Sequence, residues 1–249
     1  FVYSLRRGFA PETISRTAGL GYAIKYSSEF NGEKVFVKKG GKFMTVADLD
    51  PKPAKPQTPF GPETEFHKFM HSPDRITLEG DEKKRAKELD GDAKLKALAD
   101  GAELVPVKAE DIGVEAIDDL TLRISLKQSA PYFLGLFAHQ FFRLVPQHVI
   151  EKHGKDWTRP ENIVTCGPFK VKEYRPYDRL IVERDPNYWD AKNVHLDRID
   201  FYPVEELSTM MNLYKAGSVD AFLNHTVPSS WIEEIRQYKD EYLDFPEAA

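Results

Sequence analysis

Gly167-Pro168-Phe169-Lys170-Val171-Lys172-Glu173-Tyr174 is followed, after Arg175-Pro176-Tyr177, by Asp178-Arg179-Leu180-Ile181-Val182-Glu183-Arg184-Asp185-Pro186-Asn187-Tyr188-Trp189. Two β-rich runs, Phe169 to Tyr174 and Arg179 to Arg184, flank the turn formers Pro176-Tyr177-Asp178, and this predicts a hairpin. Gly167 and Pro168 set the turn into the first strand. Asp185-Pro186-Asn187 ends the second, after which Tyr188 and Trp189 are expected to bury their rings against the sheet.

Downstream, Arg198 to Pro203 reads as a third strand. Leu207, Met210, Met211 and Tyr214 recur at helical spacing, so Glu205 to Ala216 is an amphipathic helix ended by Gly217. Val219 to Leu223 reads as a short strand. Trp231, Ile232, Ile235 and Tyr238 mark a further helix that Ser229 or Ser230 could cap. Alternating strands and helices give an α/β sheet pattern.

Upstream, Leu120, Leu122, Ile124 and Leu126 alternate with Thr121, Arg123, Ser125 and Lys127, the period of a half-buried strand. Pro131 to Ala138 is a short apolar helix or turn. Pro146 to Lys152 is a short helix with proline at its first position. The polar stretch Lys155 to Asn162 marks a domain boundary. Residues 33–110 differ in texture, with prolines at 51, 53, 56, 59 and 62 and nearly balanced charge. This segment is expected to be extended, turn-rich and solvated, with helices only across Asp81 to Asp100 around a break at Asp90-Gly91.

Composition excludes several classes. With 41% hydrophobic and 30% charged residues, the 249-residue chain is globular, and a net charge of −5 argues against nucleic acid held by counterion release. One cysteine, Cys166, excludes an internal disulfide or a four-cysteine zinc site, and its turn position suggests a small buried thiol. The apolar run Ala130 to Ala138 is about half of a membrane span. Phe1 to Arg7 carries no initiator Met or leader and reads as mid-helix, while Phe245 to Ala249 stops just past an apparent strand. The chain is therefore expected to be a piece of a longer protein.

In their order and spacing, the segments 167–174 and 178–189, Leu196 to Phe201 and Tyr214 to Asp220 resemble the solute-binding proteins of peptide ABC transporters, family 5. Phe1 to Arg7, Gly113 to Leu122, Pro131-Tyr132-Phe133, Trp157, Pro160 and Asn162-Ile163-Val164 fit the same pattern. The resemblance implies an α/β, periplasmic-binding-protein type II-like bilobal fold, incomplete here, with mixed sheets and flanking helices. Residues 1–153 would form the smaller lobe, with 33–110 as an insertion longer than in the oligopeptide binders. Residues 154–249 would form part of the core lobe.

It further implies an extracytoplasmic, periplasmic or cell-surface subunit that captures oligopeptides or dipeptides by hinge closure and delivers them to permease subunits. Such a subunit is a monomer, breaks no bond and needs no cofactor or metal. By position in the family, ligand contacts fall at His139, Asn224 and His225, although the family often has tyrosine where Leu223 stands; Tyr22, in the glycine-containing connection Ala18 to Tyr26, is a further candidate.

Rival readings start from other residues. The same fold also serves nickel complexes, haem or sugars. His67 and His71 have the i, i+4 spacing of a zinc pair, but Lys68, Phe69 and Met70 between them leave out the catalytic glutamate of a metal-dependent hydrolase. His148 and His153 do not share a face. Neither a nucleophile elbow nor a phosphate loop is present. A non-catalytic interaction module, docking through 33–110, is the remaining class.

Overall fold

The computed structural model describes residues 1–51, 61–222, 231–238 and 240–241. The chain divides into two compact units, Phe1–Trp157 and Thr158–Ala249.

The first unit opens with α1 (Val2–Phe9), whose Leu5 and Phe9 are buried as the i, i+4 pair of one face. A short 3-10 turn, Ala18–Gly21, leads to α2 (Ser27–Asn31). Strands β1 (Val35–Lys39) and β2 (Lys42–Phe43) follow, then α3 (Val46–Leu49), α4 (Glu65–His71), β3 (Thr77–Leu78), α5 (Glu82–Gly91), α6 (Ala93–Ala99) and β4 (Glu103–Pro106). β1 pairs antiparallel with β2 and β3 along one side and with β4 along the other.

Segment 33–110 is therefore not the extended, turn-rich stretch expected from its prolines. The prolines cluster at 51–62, most of which lies outside the described residues, and Val35–Lys39 is a proline-free β-branched run that forms a central strand. Its Phe36 packs with Tyr26 and Met70 on one face, while Val35 and Val37 pack with Ile76 and Leu78 on the other. The near-balanced charges pair within the segment, as in Lys38–Glu103 at 3.0 Å and Lys34–Glu79 at 3.2 Å. The break between α5 and α6 falls at Asp92, whose carboxylate caps α6 by accepting from the Lys94 and Leu95 amides.

β5 (Val114–Ala116) and β6 (Leu122–Ile124) form an antiparallel hairpin, followed by α7 (Phe133–Leu136) and α8 (Gln147–His153). Pro146 is the residue before α8, not its first turn. Leu122, Ile124 and Leu126 pack on the cluster of Leu5, Phe9, Ile24, Ile112, Val114 and Phe142, as the alternation requires. Leu120 lies in the turn and is fully exposed.

In the second unit, β7 (Phe169–Arg175), β8 (Arg179–Arg184) and β9 (Arg198–Phe201) form an antiparallel meander. The β7–β8 turn is the Pro176-Tyr177-Asp178 turn, closed by the Asp178 amide donating to the Arg175 carbonyl at 3.1 Å. Asp185, buried, accepts from the Asn187 amide at 2.9 Å and from Lys170 at 2.8 Å, which fixes the exit from β8. Trp189 contradicts its expected burial: it is 83% exposed, and Tyr188 alone is half-covered. The Trp189 ring meets that of Tyr188, centroids 5.6 Å apart, in the segment that leaves β8.

Then come α9 (Leu207–Lys215), with Gly217 at φ 65° donating to the Tyr214 carbonyl, and α10 (Ile232–Ile235). Residues 219–222, expected as a strand with Leu223, carry none. Every strand pairing among the described residues is antiparallel. No helix among them is long and apolar enough to cross a membrane.

Candidate ligand-binding site

Tyr22 is positioned by its neighbour. A Cβ at Gly21 would lie 2.3 Å from Phe9 Cζ and 3.0 Å from Phe141 Cε1, so only glycine allows the Ala18–Gly21 turn to press onto those rings. After Tyr22 the chain joins the β6 strand: the Lys127 amide donates to the Ala23 carbonyl and the Lys25 amide to that of Ser125, both at 2.9 Å. Ile24 pairs with Leu126, so the register runs Tyr22 toward Gln128.

The polarity of the Tyr22 hydroxyl follows from a chain of partners. Asn31 Nδ2 donates to the Phe9 carbonyl at 2.8 Å, and a carbonyl can only accept. Asn31 therefore turns Oδ1 toward Tyr22, whose hydroxyl donates to it. The proton is committed, and the oxygen that remains offers lone pairs. Toward a ligand, Tyr22 is an acceptor.

His139 has the opposite polarity. It precedes the 3-10 turn Gln140–Phe142, and its Nδ1 accepts from the Phe141 amide at 3.1 Å. A backbone amide can only donate, so the neutral ring carries its proton on Nε2. His139 is half-buried, and Nε2–H is left as a donor. The ring of Phe141 is the one that packs on Gly21, so the segments carrying Tyr22 and His139 are neighbours.

Next to them, Leu126, Gln128, Ser129, Ala130 and Pro131 line an open groove of about 480 Å³. The adjacent Lys127 ammonium is neutralised by Glu29 at 2.8 Å and bonds Ser28 Oγ at 2.6 Å. One acceptor and one donor, with the adjacent Lys127 paired to Glu29, suit a neutral amide-rich chain. Asn224 and His225 lie outside the described residues.

The other candidates separate. The rings of His67 and His71 stand edge to face with centroids 4.2 Å apart. His67 is buried and His71 exposed; desolvation, then His67, Lys25 and Arg123, hold His71 below the usual histidine range. Among the described residues no group of three or more His, Cys, Asp or Glu side chains converges as a metal site. Cys166 is exposed, not the buried thiol expected, because 164–166 run along the surface before Gly167 turns into β7. Sequence reasoning missed Asn31 and Phe141; only their contacts across 9 and 2 residues, respectively, reveal what they orient.

Residues 1–248 match the family model of the bacterial extracellular solute-binding proteins, family 5 middle. The periplasmic oligopeptide-binding protein OppA of Salmonella typhimurium is 37% identical over 117 residues, 47% of this chain and 22% of that protein. The solved OppA of Burkholderia pseudomallei superposes with a TM-score of 0.60 at 21% identity, over 96% of this chain and 32% of that one. Haemophilus influenzae OppA, solved in complex with RPPGFSPFR, gives 0.60 at 20%, over 96% and 33%. The structural likeness speaks to the fold: it is the α/β fold of those binding proteins, in part. The chain spans under a quarter of the curated relative and about a third of the solved chains.

Proposed function

Since the chain belongs to family 5 of the bacterial extracellular solute-binding proteins, we propose that it is part of the peptide-capturing subunit of an ABC importer. The observation that carries this reading is the opposed polarity of Tyr22 and His139. A peptide unit has one N–H and one C=O. The Tyr22 oxygen can take the first, and His139 Nε2–H can meet the second. Recognition through main-chain groups is indifferent to side chains, which suits a carrier of many peptides. Asn224 and His225 are further contacts in this reading.

In the whole protein, closure of two lobes about a hinge would bury the peptide and present a surface to the permease subunits. Residues 1–153 would belong to the smaller lobe and 154–249 to the core lobe. The cargo leaves unchanged, so no catalytic residue, cofactor or metal takes part, and the protein acts as a monomer outside the cytoplasm.

The test is calorimetric titration with tri- to pentapeptides of unrelated sequence, alongside backbone N-methylated versions. The reading expects binding that tolerates side-chain change and weakens on N-methylation. Peptide hydrolysis, or binding that ignores N-methylation, would overturn it.

A further inference from the structure

Arg75, in the segment between α4 and β3, stands where three aromatic rings converge. Its guanidinium carbon lies 3.6 Å from the centroid of the Phe43 ring, 4.2 Å from that of Phe69 and 5.1 Å from that of Phe36. The backbone fixes the residue from both sides. Its amide donates to the Tyr26 hydroxyl at 3.0 Å, and the Val46 amide to Asp74 oxygen at 2.7 Å and the Ile76 amide to Met44 oxygen at 2.9 Å bridge it to Thr45. A cation over aromatic faces is attracted by the ring quadrupole, and a guanidinium can stack there while its N–H edge stays open.

That edge is uncommitted. Around it, Lys25 is paired with Asp74 at 2.8 Å, Lys38 with Glu103 at 3.0 Å and Arg123 with Glu115 at 3.2 Å. No ion pair or hydrogen bond joins the Arg75 guanidinium to another described residue. Asp111, whose charge also acts on it, accepts from the Lys108 amide at 2.8 Å. Residues 52–60, outside the described residues, contain no Asp or Glu. Desolvation holds the guanidinium below the usual arginine range, against the pull of Tyr26 and Asp111. A half-buried cation without a counter-ion carries a desolvation cost that a bound anion offsets.

We propose that Arg75, with the rings of Phe43 and Phe69, is a binding site for a carboxylate carried on an apolar body. The planar fork of a guanidinium matches the two oxygens of a carboxylate. One uncommitted positive charge balances a monoanion, whereas a phosphate group near its dianionic form would ask for a second cation. Phe43 and Phe69 are only half-buried, and Val46, next to Thr45, is 50% exposed, which leaves apolar surface for the rest of the ligand. Arginine beside aromatic rings is the composition that anchors binding sites elsewhere. The site shares no residue with the groove at Leu126 to Pro131, so it stands or falls apart from the peptide-carrying reading.

The experiment titrates sodium propionate, phenylacetate and chloride into the chain at constant ionic strength, following the Arg75 Nε–H by NMR with isotope-labelled arginine. A saturable shift is expected with both carboxylates, at lower concentration for phenylacetate, and none with chloride. Arg75→Lys keeps the charge but loses the fork and should weaken binding about tenfold or more. Lys42→Gln, an exposed neighbour on β2, should leave it unchanged. An N-acetylated tripeptide with a free C-terminus, set against its amide, tells the source: affinity of the acid form at or above that of phenylacetate assigns a peptide carboxylate, and lower affinity a free organic acid. A wild-type Arg75 signal that stays still, a response to chloride equal to that with propionate, or full carboxylate affinity in Arg75→Lys would overturn the assignment, whether or not Arg75→Gln folds.

Discussion

The ammonium of Lys25 lies 2.6 Å from the main-chain oxygen of Met70, at the C-terminal end of α4. It also reaches the Ser72 carbonyl at 3.3 Å and the Asp74 carboxylate at 2.8 Å, while the residue itself is 6% exposed. A cation there satisfies carbonyls that the helix leaves open and complements its dipole. It also ties the strand segment beside Tyr22 to a helix 45 positions later. Removing it strands buried acceptors, so Lys25→Ala should cost about 2–3 kcal/mol. Asp74 is 55% exposed at its side chain, so Asp74→Asn should cost under about 1 kcal/mol. Urea unfolding of the two variants checks the order; equal losses would mean the carbonyl contacts contribute nothing.

Glu115 and Arg123 are direct cross-strand partners in the β5–β6 hairpin, and their side chains are 12% and 10% exposed. Arg123 also donates to the Pro62 carbonyl at 2.9 Å, and Thr64 donates to Glu115, so the pair anchors the entry to α4. Truncating one member leaves the other charge buried, and Glu115→Ala should lose about 3–5 kcal/mol. Replacing both by apolar residues of similar volume should recover most of that. A double-mutant cycle by denaturant titration decides it, and additive losses would sink the coupling.

What the sequence made legible here was local. The β7–β8 hairpin could be read because its period and its Pro176-Tyr177-Asp178 turn sit within a few residues of each other. Trp189 could not, since burial depends on what lies over the sheet and not on the residue. The strand Val35–Lys39 was masked by the neighbouring prolines, although its β-branched run carried the signal. His139 and Tyr22 could be marked as candidates, but not the direction of their hydrogen bonds. That direction is set by Phe9, Asn31 and Phe141, which the fold brings in from elsewhere.

Glu206 caps α9, accepting from the Thr209 amide at 2.7 Å and the Thr209 hydroxyl at 3.0 Å, with Ser208 also donating to it. These donors favour the ionised form and lower its pKa from 4.5 to about 2. The folded pKa is depressed, so the unfolded chain takes up the proton first. The stabilisation is complete above pH 4.5 and is lost as pH falls toward about 2. Glu206→Gln should therefore flatten the acid limb of a stability–pH curve in that window and leave the neutral region little changed. An unchanged acid limb in the variant would show that the cap is not formed in solution.

Two glycines two positions apart, Gly19 and Gly21, give the sharpest test of the candidate binding site. Nothing lies within 4 Å of where a Cβ would sit on Gly19, whereas on Gly21 it would meet the fully buried Phe9 ring at 2.3 Å. Gly21→Ala must push Phe9 or the turn aside, an overpacking that costs about 1–3 kcal/mol. Gly19→Ala meets no neighbour and should be neutral or slightly stabilising. The displacement at Gly21 has a second consequence. Phe141 is also in the way at 3.0 Å, and its amide holds His139 Nδ1, while Tyr22 is the next residue along. Both polar groups should therefore lose alignment together, and peptide affinity should fall in Gly21→Ala but not in Gly19→Ala. Calorimetric titration of the two folded variants reads this out. Equal peptide affinity in both would mean that Tyr22 and His139 do not contact the ligand.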